Sequence, residues 1–120
     1  MYLMIDNYDS FTYIIVNYVK KHGRKIDVLA NDGDLSSVKI ENYKGIFLSP
    51  GPSSPENSGI TLDVLRNVKD RPIFGICLGM QAIGLVYGGT IVHAQKTMHG
   101  KIDTITHSGS AIYRDIPQSF

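Results

Sequence analysis

One stretch, Gly75-Ile76-Cys77-Leu78-Gly79, limits what this chain can fold into more than any other. The apolar run before it, residues 72–76, is short enough to be a buried strand. After it, Leu78, Ala82, Leu85 and Val86 recur at helical spacing, and Gly88-Gly89 marks a helix end. Strand, sharp turn and helix, with Cys77 at the apex, is the layout of a nucleophile elbow in which a thiol replaces the hydroxyl of G-x-S-x-G. The glycines suit a turn too tight for Cβ atoms beside the reactive side chain. A helix starting here brings free N–H groups and the positive end of its dipole next to the sulfur. The Leu78 N–H would then face an oxyanion forming on a bound carbonyl. The same residues also fit a small buried thiol in a glycine-shaped turn, because free cysteine is among the most buried residue types.

The rest of the chain bears on that choice. Residues 2–5 read as a strand. Asp6-Asn7-Tyr8-Asp9-Ser10 is a polar turn in which Asp9 or Ser10 caps a helix and Asp6 orders the loop. Phe11, Ile14, Ile15, Tyr18 and Val19 fall on one helix face, ended by Gly23. Residues 25–30 alternate as a strand, 31–34 turn, and 36–43 leave open a short helix. Residues 45–49 read as a third strand, followed by the loop Pro50-Gly51-Pro52-Ser53-Ser54-Pro55. Residues 61–69 read as a helix, 90–94 as a fifth strand, and 101–107 with 111–113 as a hairpin about Ser108-Gly109-Ser110. Alternating strands and helices predict an α/β fold, an open doubly wound, mostly parallel sheet covered on both faces. Such sheets bind ligands at the carboxyl ends of their strands. Three conspicuous loops leave those ends: 6–10, 49–55 and the Cys77 elbow.

Composition narrows the function classes. A chain of 120 residues is one domain, which buries roughly two thirds of its unfolded surface. Its net charge is +1 with both signs interleaved, which predicts neither a nucleic-acid nor a membrane partner. One cysteine excludes an internal disulfide and fits a reducing compartment, so a cytoplasmic location is expected. No apolar run approaches the ~20 residues of a membrane span. The start of the chain runs into an acidic loop rather than a signal peptide. No Cys/His spacing suggests a metal, and no cofactor is expected. Asp6 and Asp9 could belong to a phosphate receiver, but Ser49-Pro50 stands where its acceptor aspartate would be. Residues 50–54 could cradle the phosphate of a flavodoxin-like cofactor, but lack the G-x-x-x-x-G-K spacing.

Four motifs in register resemble one family. Ile5-Asp6-Asn7-Tyr8-Asp9-Ser10-Phe11-Thr12-Tyr13 resembles the opening of the glutaminase subunits of anthranilate synthase and aminodeoxychorismate synthase. Leu48-Ser49-Pro50-Gly51-Pro52 resembles the oxyanion loop of class I, triad-type glutamine amidotransferases, and Gly75-Ile76-Cys77-Leu78-Gly79-Met80-Gln81 their nucleophile elbow. Gly88-Gly89 and Met98-His99-Gly100-Lys101 resemble the chorismate-linked branch. The resemblance implies a flavodoxin-like amidotransferase fold in which residues 1–120 are the N-terminal part of a single domain, incomplete at its carboxyl end. It implies Cys77 as the catalytic nucleophile, with the Gly51 and Leu78 N–H groups as the oxyanion hole. Gly51, Pro52, Ser53 and Gln81 would bind the substrate glutamine. The implied partner is a chorismate-binding synthase subunit that receives ammonia, with residues near His99-Gly100-Lys101 and the loop 7–11 at or near that contact.

The chain also departs from the family. Met80 stands where this branch often has His, Ile14 where it usually has Asn, and Ser53 where Gly is common. The family's His-x-Glu pair, which moves the proton of the thiol, has no counterpart. None of His22, His93, His99 and His107 is followed two residues on by an acid. The 120-residue chain alone is therefore expected to be inactive, and a non-catalytic partner-binding module is the alternative reading.

Overall fold

The structure is a computed structural model and describes residues 1–95 and 102–120. Four short runs become strands of a parallel sheet, the two central ones mostly buried and the two at its edges partly exposed. They are β1 (Tyr2–Asp6), β2 (Ile26–Ala30), β3 (Gly45–Leu48) and β4 (Ile73–Gly75), all parallel, in the order β2-β1-β3-β4. Leu3, Ile5, Ile46 and Leu48 point to one face, where they pack with Ile60, Val64, Leu65 and Ala82 of helices α2 (Ile60–Asn67) and α3 (Leu78–Val86). Met4 and Ile26 point to the other face, under Val16 of helix α1 (Thr12–Lys21). Helices thus cover both faces, as the alternation predicts. The predicted turn at 31–34 is present, and the ambiguous stretch 36–43 resolves into two 3-10 turns, Leu35–Ser37 and Ile40–Asn42.

Helix α1 ends as expected. Gly23, at φ 76°, donates to the Lys20 carbonyl and Arg24 to that of Val19, a Schellman closure. Its inward face differs from the expectation. Thr12 and Val16 are buried and Ile15 and Val19 partly so, whereas Phe11, Ile14 and Tyr18 are exposed. The period is right and the phase is wrong. Thr12 sets the phase: its hydroxyl donates to Asp6 Oδ1 at 2.9 Å and draws a polar residue into the first buried turn. Asp6 orders the loop as expected, also accepting from the Tyr8 N–H. Neither Asp9 nor Ser10 caps the helix: Phe11 holds the cap position without a side-chain capping bond, and Asp9 instead accepts from the Phe11 N–H in the turn before it.

Two predicted elements are absent. Residues 90–94 are coil, with Val92 78% exposed, because no described strand offers them a ladder. Residues 102–110 are also coil, and Ala111–Tyr113 is a 3-10 turn rather than a hairpin arm. Ile105 instead exchanges both backbone hydrogen bonds with Phe120, at 2.9 and 3.1 Å. Lys101 and the motif at 98–101 lie outside the described residues.

The connection into β3 carries a buried phenol. Tyr43 is 7% exposed and its hydroxyl donates to Asp27 Oδ2 at 2.8 Å. Burial first, then the Asp27 hydrogen bond and charge, hold its pKa above the ordinary phenol value. A pKa raised in the folded state stabilises fully below the unfolded value, about 10, and the gain is lost as pH climbs through the folded one. Urea unfolding at pH 9 and pH 11 is expected to show a smaller alkaline loss for Tyr43→Phe than for the unsubstituted chain.

Candidate active site at the carboxyl edge of the sheet

The register brings three loops to one level. Ile5 pairs with Leu48, and Leu48 with Gly75. The chain therefore leaves β1, β3 and β4 side by side, at Asn7, Pro50 and Cys77. Strand order reverses between β1 and β3, which is where open α/β sheets form their binding crevice. The convergence expected from the sequence is present.

Cys77 is the residue between β4 and α3, and it is exposed rather than a buried small hydrophobe. Its backbone stands at φ 53°, ψ −106°, a region that L-residues rarely occupy. The turn is held by Ile76 N–H to the Leu48 carbonyl and Gly79 N–H to the Ile76 carbonyl, both 3.0 Å. The glycines on either side are needed by close approach. A Cβ on Gly75 would lie 2.5 Å from the Gly79 carbonyl carbon, and one on Gly79 would lie 2.3 Å from the Leu48 oxygen. Helix α3 can press this closely on the strands only where both residues lack a side chain. Gln81 follows one turn on, its N–H on the Cys77 carbonyl at 2.9 Å and its side chain half-buried.

Gly51 is brought against Leu78. A Cβ at Gly51 would lie 2.6 Å from Leu78 Cδ2, 2.7 Å from Asn7 Cβ and 2.8 Å from the Asn7 carbonyl oxygen. Among the described residues neither the Gly51 nor the Leu78 N–H has a hydrogen-bond acceptor. Two unpaired backbone donors on neighbouring residues next to an exposed thiol can hold a developing oxyanion. Pro52 and Ser53 are exposed on the same loop. On the neighbouring loop the Tyr8 hydroxyl donates to Asp32 Oδ1 at 2.5 Å. That bond, and then the Asp32 and Asp6 charges, hold the phenol above its ordinary pKa.

Among the described residues no proton acceptor joins the thiol. Among the described residues no histidine hydrogen-bonds Cys77, and His107 is engaged with Ile116 and Gln118. Two hollows lie elsewhere on the surface. One of about 610 Å³ runs along α1 by Ile14 and Tyr18, and one of about 210 Å³ lies between α2 and α3 by Leu65 and Tyr87. Cys77 lines neither of these two.

Sequence reasoning passed over Asn7 and Ser49 as site residues. Asn7 is 2% exposed and Ser49 fully buried, and they hydrogen-bond each other directly beneath Gly51. A signal was available: a loop with prolines at 50 and 52 cannot be held by its own N–H groups and needs anchors outside it.

Comparison with known proteins agrees with this fold. Residues 3–120 match the family model for glutamine amidotransferase class-I. Anthranilate synthase component 2 of Azospirillum brasilense is 43% identical over the whole of this chain and 63% of its own length. Aminodeoxychorismate/anthranilate synthase component 2 of Bacillus subtilis is 44% identical over 97% of this chain and 61% of its own length. Aminodeoxychorismate synthase component 2 of Escherichia coli is 43% identical over 97% and 63%. A crystal structure from Thermoplasma acidophilum, described as one of the subunits of a GMP synthase, superposes with a TM-score of 0.77 at 26% identity. It covers 98% of this chain and 59% of that one. The chain therefore spans about three fifths of the length of the relatives it matches. No helix among the described residues is long and apolar enough to cross a membrane.

Proposed function

Because this chain belongs to the class-I glutamine amidotransferase family, we propose that it is the nucleophile-bearing part of a glutaminase subunit supplying ammonia to a chorismate-using synthase. The observation that carries the reading is the exposed Cys77 at a positive-φ apex, beside the unpaired N–H groups of Gly51 and Leu78. In this reading Cys77 Sγ adds to the side-chain amide carbon of glutamine. The carbonyl oxygen takes up the negative charge and rests on those two N–H groups. Collapse breaks the C–N bond, the nitrogen leaves as ammonia after protonation, and a γ-glutamyl thioester remains. Water repeats the addition and releases glutamate and the thiol. Gly51, Pro52, Ser53 and Gln81 hold the glutamine.

The proton steps fall to a His-x-Glu pair of the family. In our reading residues 1–120 are the N-terminal part of one domain, and the pair belongs to the portion of it outside this span. Ammonia then passes to a chorismate-binding synthase subunit in the cytoplasm. Anthranilate synthesis is favoured by the names of the relatives. Aminodeoxychorismate synthesis is the second reading, since the Escherichia coli relative is equally identical.

Glutamine-dependent ammonia release tests the proposal. The 120-residue chain alone is expected to release none. A chimera completed with the carboxyl-terminal part of the Bacillus subtilis relative is expected to release ammonia in the presence of that relative's synthase partner, and to lose it with Cys77→Ser. Steady release from the chain alone, abolished by Cys77→Ala, would overturn the assignment of proton transfer to residues outside this span. A folded chimera that is inactive with the partner would favour the partner-binding module.

A further inference from the structure

The loop that carries Gly51 cannot position itself. Pro50 and Pro52 have no N–H, so the backbone between Ser49 and Ser53 has one donor, that of Gly51, and in the amidotransferase reading that donor must stay free for substrate. Glycine between two prolines also has wide freedom in φ. The direction of the Gly51 N–H has to be imposed from outside the loop.

Asn7 is placed to impose it. It follows β1 and is 2% exposed. Its backbone N–H donates to Ser49 Oγ at 2.8 Å, and its Nδ2 donates to the Ser49 carbonyl at 2.9 Å. Ser49 Oγ in turn donates to the Pro50 carbonyl at 2.8 Å, which fixes the peptide plane leading into Gly51. On its other side Asn7 Oδ1 accepts from Asn31 Nδ2 and Thr61 Oγ1, both at 3.0 Å. Asn31 follows β2, and Thr61 lies in the first turn of α2. One buried amide therefore joins the ends of β1, β2 and β3 to α2, and Gly51 packs directly on it.

The chemistry selects an amide. The side chain must donate to a carbonyl and accept from two donors, which Asn does without charge. Aspartate keeps the shape and loses the donor toward Ser49. Glutamine is a methylene too long for a site this closed.

We propose that Asn7 is a positioning residue for the oxyanion hole, acting through Ser49 to aim the Gly51 N–H. The proposal rests on the amidotransferase reading and goes beyond it in naming what sets the hole. A hole of this construction is held by side chains of four elements rather than by its own loop.

Two reagents separate positioning from general support. A glutamine-shaped chloromethyl ketone alkylates Cys77 as Sγ displaces chloride, and its ketone oxygen sits where the amide oxygen would. Iodoacetamide loses iodide to the same sulfur and uses no oxyanion hole. Rates with both are measured by mass spectrometry on the chain and on Asn7→Asp, Ser49→Ala and the double variant, with thermal unfolding as a check on folding. The ratio of ketone to iodoacetamide rate is expected to fall about tenfold or more in each single variant, below the 10²–10³ cost of deleting a donor outright. The double variant is expected to fall no further than the worse single, since both act through one link. An unchanged ratio, or both rates falling together, overturns the proposal. If Asn7→Asp does not unfold cooperatively, the ratio in Ser49→Ala decides alone. An unsubstituted chain that shows no preference for the ketone counts against the amidotransferase reading itself, and the proposal falls with it.

Discussion

Replacing Cys77 with glycine is expected to stabilise the chain while abolishing its capture by a glutamine-shaped electrophile. At φ 53° and ψ −106° any residue with a Cβ carries strain, of order 1–3 kcal/mol. Glycine relieves it, and returns up to about 1 kcal/mol through the larger entropy of its unfolded chain. The net expected gain is about 1 kcal/mol, read by urea unfolding. Cys77→Ala keeps the strain and loses the thiol, so it is expected to be silent in stability and equally dead in labelling. The pair separates backbone strain from chemistry at one position. A Cys77→Gly chain less stable than Cys77→Ala would show that the elbow is not strained. A strained residue is tolerated when its neighbours over-determine the turn. Here the Ile76 and Gly79 hydrogen bonds and two side-chain-free contacts do so.

Gly79→Ala is expected to be a severely damaging single methyl at the elbow. The added Cβ would stand 2.3 Å from the Leu48 oxygen and 2.8 Å from its carbonyl carbon. Backbone at the end of a buried, central strand of the sheet cannot swing aside as a side chain would. Helix α3 must lift off β3, opening the contacts of Leu78 and Ala82, which are 2% and 0% exposed. Overpacking typically costs 1–3 kcal/mol where side chains can yield, so a backbone clash is expected to cost about 3 kcal/mol or more. Thermal unfolding should fall by more than about 10 °C. Gly84→Ala, in the same helix with nothing nearer than 4.0 Å, is expected instead to gain up to about 1 kcal/mol from helix propensity. Equal effects at the two glycines would refute the close-approach argument.

Much of this is legible in the chain itself, and the misses are instructive. The four parallel strands, the stop at Gly23 and the elbow at Cys77 rest on local rules: period, turn chemistry and the φ freedom of glycine. A strand at 90–94 has the right residues but depends on a neighbour to pair with, which no local pattern supplies. The face of α1 escapes a reading by pattern because apolar residues on both sides of the stripe give two nearly equal phases. The bond from Thr12 to Asp6, six residues away, chooses between them.

Fold class, the order of the elements that form, the place of Cys77 at a strand-to-helix apex and the glycines that let it stand at a turn all follow from residues close together in the chain. Tertiary packing is what leaves Cys77 exposed and lays Gly51 against Leu78. It also makes Asn7 and Ser49, 42 residues apart, bind each other beneath them. The reason is register. Ile5, Leu48 and Gly75 align only when three strands pair, and that pairing, a property of the whole sheet, sets which loop ends meet.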